Sequence, residues 1–345
     1  MEPLSFLQIE PTTRCNFTCG FCAGRAMQQA DLPFERFEAA LAAFPDLRHV
    51  ELQGEGESLM HPRFLDMVEA ARARGIRVSF ITNGSYFTPA AISRLLDARI
   101  EKISVSMESP DPAEFQRIRG GKLSKVLHGV EALLAERRAR GLDRPVVGLS
   151  VTVLASTQDR LGEIVALYRR LGLDGGITIQ PLQRMESYTK SYRPEVAAEA
   201  LSPDEVERAW IRFRANRELR AIAAERPPVA GFFDELMEGW SPTKKSCPWL
   251  DRGLYLSNEG YATACCMVKD PRFAFGRLGE TEPEAIFEGR ARMRDTLARG
   301  EVPEACEGCD IAHYATMSKP KLALVGIKGL AHRLFGRLPQ VPPKP

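Results

Sequence analysis

The feature that most constrains the fold is an alternation running through the first half of the chain. Short apolar runs at 4–10 (LSFLQIE), 49–54 (HVELQG), 76–82 (IRVSFIT), 102–108 (KISVSME), 146–154 (VVGLSVTVL) and 176–182 (GITIQPL) read as strands. Between them lie PFERFEAALAAF, PRFLDMVEAARARG, TPAAISRLLDA, SKVLHGVEALLAERRARG and DRLGEIVALYRRLG. Each places apolar residues at helical spacing, and several end in basic residues and Gly. Repeats of strand, helix and strand dictate right-handed crossovers and a parallel sheet. Six units fall short of a closed eight-fold barrel. The expected fold is therefore α/β, an open or partial (β/α)6 TIM-like barrel, with a doubly wound sheet as the alternative.

The alternation stops near residue 183. We divide the chain into a barrel at 1–183, a helical bridge at 184–239, a small C-terminal region at 240–317 and a basic tail at 318–345. SPDEVERAWIRFRANRELRAIAAERP reads as one long helix in the bridge, with Ser202 as N-cap and Pro203 at its first position. GLYLSNEGYATACC reads as a β-hairpin turning at Asn258-Glu259-Gly260, and EPEAIFEGRARMRDTLARGE as a helix. The tail reads as an amphipathic helix packed back on the body, with a membrane-surface or partner-binding helix as the alternative. Gly326, Gly329 and Gly336 weaken it as a free-standing helix.

Composition narrows the class. With 44% hydrophobic and 27% charged residues, this is an ordinary globular chain. A formal net charge of +2 sets up no field that would draw nucleic acid. No apolar run reaches the roughly 18 residues of a membrane span. MEPLSFLQIE has no basic segment ahead of its apolar run, so it reads as a strand and not a signal peptide. A cytoplasmic address follows, where thiols stay reduced, and eight cysteines then point to metal or catalysis before disulfides.

Three of the eight, Cys15, Cys19 and Cys22, fall just after the first strand. In a parallel α/β fold that is the sheet edge where active sites collect. Three thiolates on one loop can wrap a single soft-metal centre, and a four-iron cubane held by three of them keeps one iron open. A zinc site with a His ligand, although the nearest His in sequence is His49, and an unligated set of buried cysteines are the alternatives. The other five follow the pattern C-x17-CC-x39-C-x2-C, from Cys247 through Cys265, Cys266 and Cys306 to Cys309. Four ligands are available with one to spare, and spacing alone leaves a second iron–sulfur cluster and a four-Cys zinc site open.

C-x3-C-x2-C with Phe21 ahead of the last Cys, preceded by IEPTTRCN, resembles the signature of the radical S-adenosylmethionine (SAM) superfamily. The resemblance implies a partial barrel of six βα units. It implies a [4Fe-4S] cluster on Cys15, Cys19 and Cys22, with the amino and carboxylate groups of S-adenosylmethionine at the open iron. GEGESLMHP (54–62) resembles the family's Gly-Gly-Glu-Pro stretch, with Glu55 in place of the first Gly and Ser58 in place of Pro. It makes Gly56 and Glu57 candidates for contact with the methionyl group. Asn83 in TNG, Ser106 and Glu108 in SVSMES, and Ser150 on the fifth strand stand where the family places polar contacts to ribose and methionyl carboxylate. Arg117 and Arg119 read as surface arginines, with pairing to a substrate or cofactor carboxylate as the alternative.

The segment from CPWL to EACEGC resembles the auxiliary-cluster region called SPASM, in its shorter twitch form. That implies a second [4Fe-4S] cluster on Cys247, Cys265, Cys306 and Cys309. Cys266 is left over because adjacent strand residues face opposite sides, with the reverse choice, Cys266 as ligand and Cys265 spare, as the alternative. It is a candidate hydrogen-atom donor, and a spare buried thiol is the alternative.

Reductive cleavage of S-adenosylmethionine to a 5′-deoxyadenosyl radical, followed by hydrogen abstraction, is the implied chemistry. With Cys15 so near Met1, a small polar metabolite is the expected substrate: a sugar, an aminocyclitol or a nucleoside-sugar intermediate. The expected outcome is oxidation. Radical epimerisation, fragmentation, peptide or lipid modification, and a non-catalytic electron-transfer or maturation role are the alternatives. An external reductant such as a flavodoxin or ferredoxin is the implied partner.

Overall fold

Strands β1 (Phe6–Ile9), β2 (His49–Leu52), β3 (Arg77–Thr82), β4 (Lys102–Ser106), β5 (Val146–Val153) and β6 (Ile177–Pro181) lie side by side in chain order, all parallel. The computed structural model describes residues 4–225, 231–240 and 245–316. The order never reverses, so there is no switch point and the sheet is not doubly wound. It is a partial (β/α)6 barrel. The free side of β1 pairs with β7 (Gly253–Leu256), where a closed barrel would bring back its last strand.

The helices between the strands are α1 (Phe34–Ala43), α2 (Phe64–Ala73), α3 (Pro89–Asp97), α4 (Pro112–Arg119), α5 (Leu123–Ala139) and α6 (Leu161–Leu171). Their starts and stops follow local chemistry. Thr88 and Asp111 cap α3 and α4 through side-chain oxygens, and each helix has Pro in its first turn. Gly120 and Gly172 end α4 and α6 in the left-handed conformation.

The two faces of the strands differ. Leu7, Ile9, Val50, Leu52, Val78, Ile103, Val105, Val147 and Leu149 join the helices in the main core. Most of the intervening positions are polar, with Phe6, Ile81, Val146 and Gly148 as exceptions. Gln8, Glu51, Ser79 and Lys102 stand opposite one another in register, and Ser106 stands opposite Ser150. Parallel strands buried on both faces are usually apolar throughout. Here the period of two separates an oily outer face from a polar interior.

The bridge contains α7 (Glu186–Thr189), α8 (Pro194–Ala197), α9 (Pro203–Ala215), α10 (Arg217–Ala224) and α11 (Phe232–Leu236). The single long helix expected here is two. Asn216, at φ −68° and ψ 114°, ends α9 and caps α10 by accepting the Leu219 N–H at 3.1 Å. Ser202 caps α9 through a capping box with Glu205. α11 packs under the barrel, where Gly231 to Asp234 line a cavity shared with Glu51, Ser79, Lys102, Ser104 and Thr178.

The C-terminal region continues the barrel's own sheet. After α12 (Pro248–Arg252), β7 turns through Asn258-Glu259-Gly260 into β8 (Tyr261–Thr263), with Gly260 at φ +91°. β8 pairs in turn with β9 (Gly276–Arg277). α13 (Pro283–Ala298) and α14 (Asp310–Thr316) close the region. The expected helix in the tail falls at 318–345, outside the described residues. No described helix is long and apolar enough to cross a membrane.

Candidate radical-generating site

β1 ends at Ile9, and the loop beyond it carries Cys15, Cys19 and Cys22. All three are free thiols, Cys19 buried and the others half-buried. Each meets a polar group from elsewhere. The backbone N–H of Phe17 donates to Cys15 Sγ at 3.4 Å, and Asn83 Nδ2 approaches the same sulfur at 3.8 Å. Arg119 Nη1 lies 3.7 Å from Cys19 Sγ, and Cys22 Sγ lies 3.4 Å from Glu55 Oε2. Burial pushes the Cys19 thiol up to about 11 and raises Cys15 and Cys22 as well. A metal is what ionises such thiols at neutral pH. Three free thiols with N–H donors aimed at two of the sulfurs fit the three-thiolate side of a cluster.

Gly56 has a defined reason. A Cβ there would fall 2.3 Å from the Thr12 carbonyl oxygen and 2.7 Å from that of Arg14. Glycine lets the segment after β2 press against the cysteine loop, where the Glu57 N–H donates to the Arg14 carbonyl at 2.8 Å. The Glu57 side chain then turns to the end of β3. It accepts the Thr82 hydroxyl and the Asn83 N–H, each at 2.7 Å. Burial pushes its carboxyl up. Asn83 holds Asn16 of the cysteine loop at 2.9 Å, and Ser85 completes the knot by donating to Asn83 Oδ1.

Glu108 sits past β4 and grips Arg119 with both carboxylate oxygens. Arg119 is 8% exposed, which corrects its reading as a surface arginine: its charge is matched by Glu108 and it packs on Cys19. Arg117 is as expected, half-exposed and paired with Glu199. Phe21 lies 5.7 Å from the Arg119 guanidinium. Ser106 and Ser150 face each other across β4 and β5 on the polar interior.

Cys247, Cys265, Cys306 and Cys309 are gathered in the C-terminal region against an apolar cluster of Leu250, Ala264, Val268 and Leu297. They are near enough for Cys309 and Cys306 to raise Cys247, and for all three to raise Cys265. Burial is the larger cause in each, and it carries Cys306 up to about 12. Backbone N–H groups of Trp249 and Leu250 serve Cys247, and those of Ile311 and Ala312 serve Cys309. Four free thiols, two of them held by N–H donors at helix starts, fit a thiolate-bound cluster. Among the described residues, no three His, Cys, Asp or Glu side chains converge on a single-ion site.

Cys266 belongs to different surroundings. It packs with Phe6, Phe232, Trp249 and Tyr255, and its charged neighbours are Lys269, Glu55 and Glu10. Of these, Lys269 and Glu10 are residues the sequence did not flag. Lys269 Nζ lies 2.9 Å from the Tyr255 hydroxyl, 3.3 Å from Glu55 Oε1 and 3.9 Å from Glu10 Oε1. The Tyr188 hydroxyl lies 2.7 Å from Glu55 Oε1 and 3.1 Å from the Cys266 carbonyl oxygen, bridging the two. Burial works to raise the Glu55 carboxyl, and Lys269, Tyr188 and Cys22 together outweigh it, so it lies below its usual range. Glu55 had stood out only as a departure from a glycine, and nothing in CCMVKD singles out Lys269.

Residues 9–178 match the family model of the radical SAM superfamily. The chain carries a radical SAM domain. It is 28% identical over 177 residues to a tungsten-containing aldehyde ferredoxin oxidoreductase cofactor-modifying protein of Pyrococcus furiosus, covering 50% of each chain. It is 29% identical over 195 residues to a GTP 3′,8-cyclase of Heliobacterium modesticaldum, covering 53% of this chain and 55% of that one. The match thus spans about half the length of these curated relatives. Among solved structures, anSMEcpe with bound AdoMet and Cp18Cys peptide superposes with a TM-score of 0.65 at 15% identity, covering 91% of this chain and 88% of that one. Streptococcus suis SuiB bound to precursor peptide SuiA gives 0.63 at 14% identity, covering 90% and 70%. At these identities the likeness is one of fold. Membership in the superfamily implies a [4Fe-4S] cluster and S-adenosylmethionine as cofactors.

Proposed function

We propose that this radical SAM enzyme abstracts a hydrogen atom from a small polar metabolite and oxidises it. A sugar, an aminocyclitol or a nucleoside-sugar intermediate is the substrate class. The observation that carries the substrate class is the polar interior face of the barrel, with Ser104, Ser106, Ser150, Thr152 and Thr178 on β4, β5 and β6. Hydroxyls of that kind suit a substrate rich in hydrogen-bonding groups. Likeness to GTP 3′,8-cyclases over half their length supports a nucleoside-bearing member of the class.

The roles follow from position. Cys15, Cys19 and Cys22 hold the first cluster, and Cys247, Cys265, Cys306 and Cys309 hold the second. When bound, the first supplies the electron that splits S-adenosylmethionine into methionine and a 5′-deoxyadenosyl radical, and the second supplies an acceptor for the electron left on an oxidised substrate. Gly56 sets the segment after β2 against the cysteine loop, and Glu57 fixes the end of β3 there. Asn83 orients Asn16 and Cys15. Ser106 at the end of β4, Ser150 opposite it within β5, and Glu108 just past β4 border the space where the nucleoside would lie. Cys266 stays a spare thiol, because Tyr255, Phe232 and Trp249 enclose it.

The test is anaerobic reconstitution, reduction, and assay with S-adenosylmethionine. Formation of 5′-deoxyadenosine is expected. Incubation with candidate polyols and aminocyclitols in deuterated water should then give a two-electron-oxidised product. Solvent deuterium retained at carbon would overturn oxidation in favour of epimerisation or reductive quenching.

A further inference from the structure

We propose that Lys269, a residue of the C-terminal region, is a positioning residue for the first cysteine centre, acting through Glu55 to set how readily that centre is reduced. This rests on the cluster-binding role proposed above for Cys15, Cys19 and Cys22. The arrangement is a relay of charge. Glu55 puts one carboxylate oxygen 3.4 Å from Cys22 Sγ and the other 3.3 Å from Lys269 Nζ. A bare carboxylate against a ligating sulfur would add negative charge where an electron must arrive. Charge and hydrogen bonding around the sulfurs are among the main determinants of an iron–sulfur potential.

Lys269 is stretched between demands. Glu10 is fully buried, one of its oxygens has no hydrogen-bond partner, and the other accepts the Glu55 N–H at 2.8 Å while Lys269 stands 3.9 Å away. One ammonium thus serves two buried carboxylates. Glu10 lies just past β1 and Glu55 follows β2, while Lys269 comes from beyond β8. The C-terminal region therefore does more than carry its own thiols. It delivers the cation that makes a carboxylate tolerable beside Cys22, and the Tyr188 hydroxyl between Glu55 and the Cys266 carbonyl holds the same junction. Glu55 stands where the family pattern has glycine, so in this chain the carboxylate and its cation come together.

The experiment is an EPR-monitored redox titration of the reconstituted full chain, following the signal that changes when S-adenosylmethionine is added. Lys269→Met is expected to move the midpoint to a more negative potential, and Lys269→Arg to keep it near wild type. Glu55→Gln is expected to move it the opposite way, and the Lys269→Met, Glu55→Gln double variant to return toward wild type. Iron per chain is measured alongside. If Lys269→Met loses iron, Glu55→Gln and Lys269→Arg decide. A Glu55→Gln midpoint that is unchanged or more negative overturns the proposal, as does an iron-replete Lys269→Met chain with an unmoved midpoint. Wild-type 5′-deoxyadenosine formation separates the two readings. If it forms while the midpoints stay put, only the role of Lys269 fails.

Discussion

Glu57 and Asn83 are joined by a 2.7 Å hydrogen bond from the Asn83 N–H to Glu57 Oε2, and that bond ties the segment after β2 to the end of β3. The other Glu57 oxygen accepts from Thr82 and, at 3.3 Å, from the Leu59 N–H. Three donors therefore converge on one buried carboxylate. Glu57→Ala would leave them unpaired, and each unsatisfied buried group costs about 1–3 kcal/mol. We expect a loss of about 3 kcal/mol in urea unfolding of the metal-free chain. S-adenosylmethionine binding should weaken as well, because Asn83 also holds the cysteine loop through Asn16.

The Glu108–Arg119 pair carries a second prediction. Both groups are buried, and removing one partner of such a pair leaves an uncompensated charge, at about 3–5 kcal/mol. Glu108→Ala should destabilise by about that much in denaturant unfolding. Arg119→Lys keeps the charge and loses the two-pronged grip. It should retain most of the stability but lose the N–H donor now near Cys19, visible as a changed EPR signal of the reconstituted protein.

The two groups of thiols separate in a metal count. Reconstituted wild type should hold about eight irons per chain if both groups bind four-iron clusters. Cys306→Ser and Cys309→Ser should each cut this to about four and leave 5′-deoxyadenosine formation in place. Cys266→Ser should leave the count unchanged. About four irons with one zinc in wild type would remove the second cluster.

The barrel was legible because its outer strand face and its helices carry plain periodicities, and the hairpin because Gly260 stands where the turn needs positive φ. The placement of Cys15, Cys19 and Cys22 just past β1 was legible because their spacing is local. What stayed hidden depends on contacts far apart in sequence. Arg119 looks like any helix-terminal arginine until α4 sets it on Cys19, 100 residues away. Lys269 gains meaning only when β7 docks on β1 and brings it to Glu10 and Glu55. The break at Asn216 was missed because Asn is tolerated inside a helix, and its capping role shows only in the bond to the Leu219 N–H.

The lower end of the barrel gives the last prediction, and it is one of pH. Glu51 is buried in the cavity above α11 and takes a hydrogen bond from Ser79. Burial pushes its carboxyl from 4.5 up to about 7. A carboxyl raised in the folded state binds more protons folded than unfolded between those two values, so its contribution to stability falls as pH climbs through that window. The cost is absent below the unfolded value and complete above about 7. A shift of this size corresponds to about 3 kcal/mol at most. Glu51→Gln keeps the shape and cannot ionise. It should raise the melting temperature at pH 8 and change it little at pH 4.5, while Lys102, which stands opposite Ser79 in register and 3.5 Å from Asp234, is kept in both proteins. Equal effects at both pH values would mean that Glu51 stays ionised in the folded chain, held by Lys102 against the pull of burial.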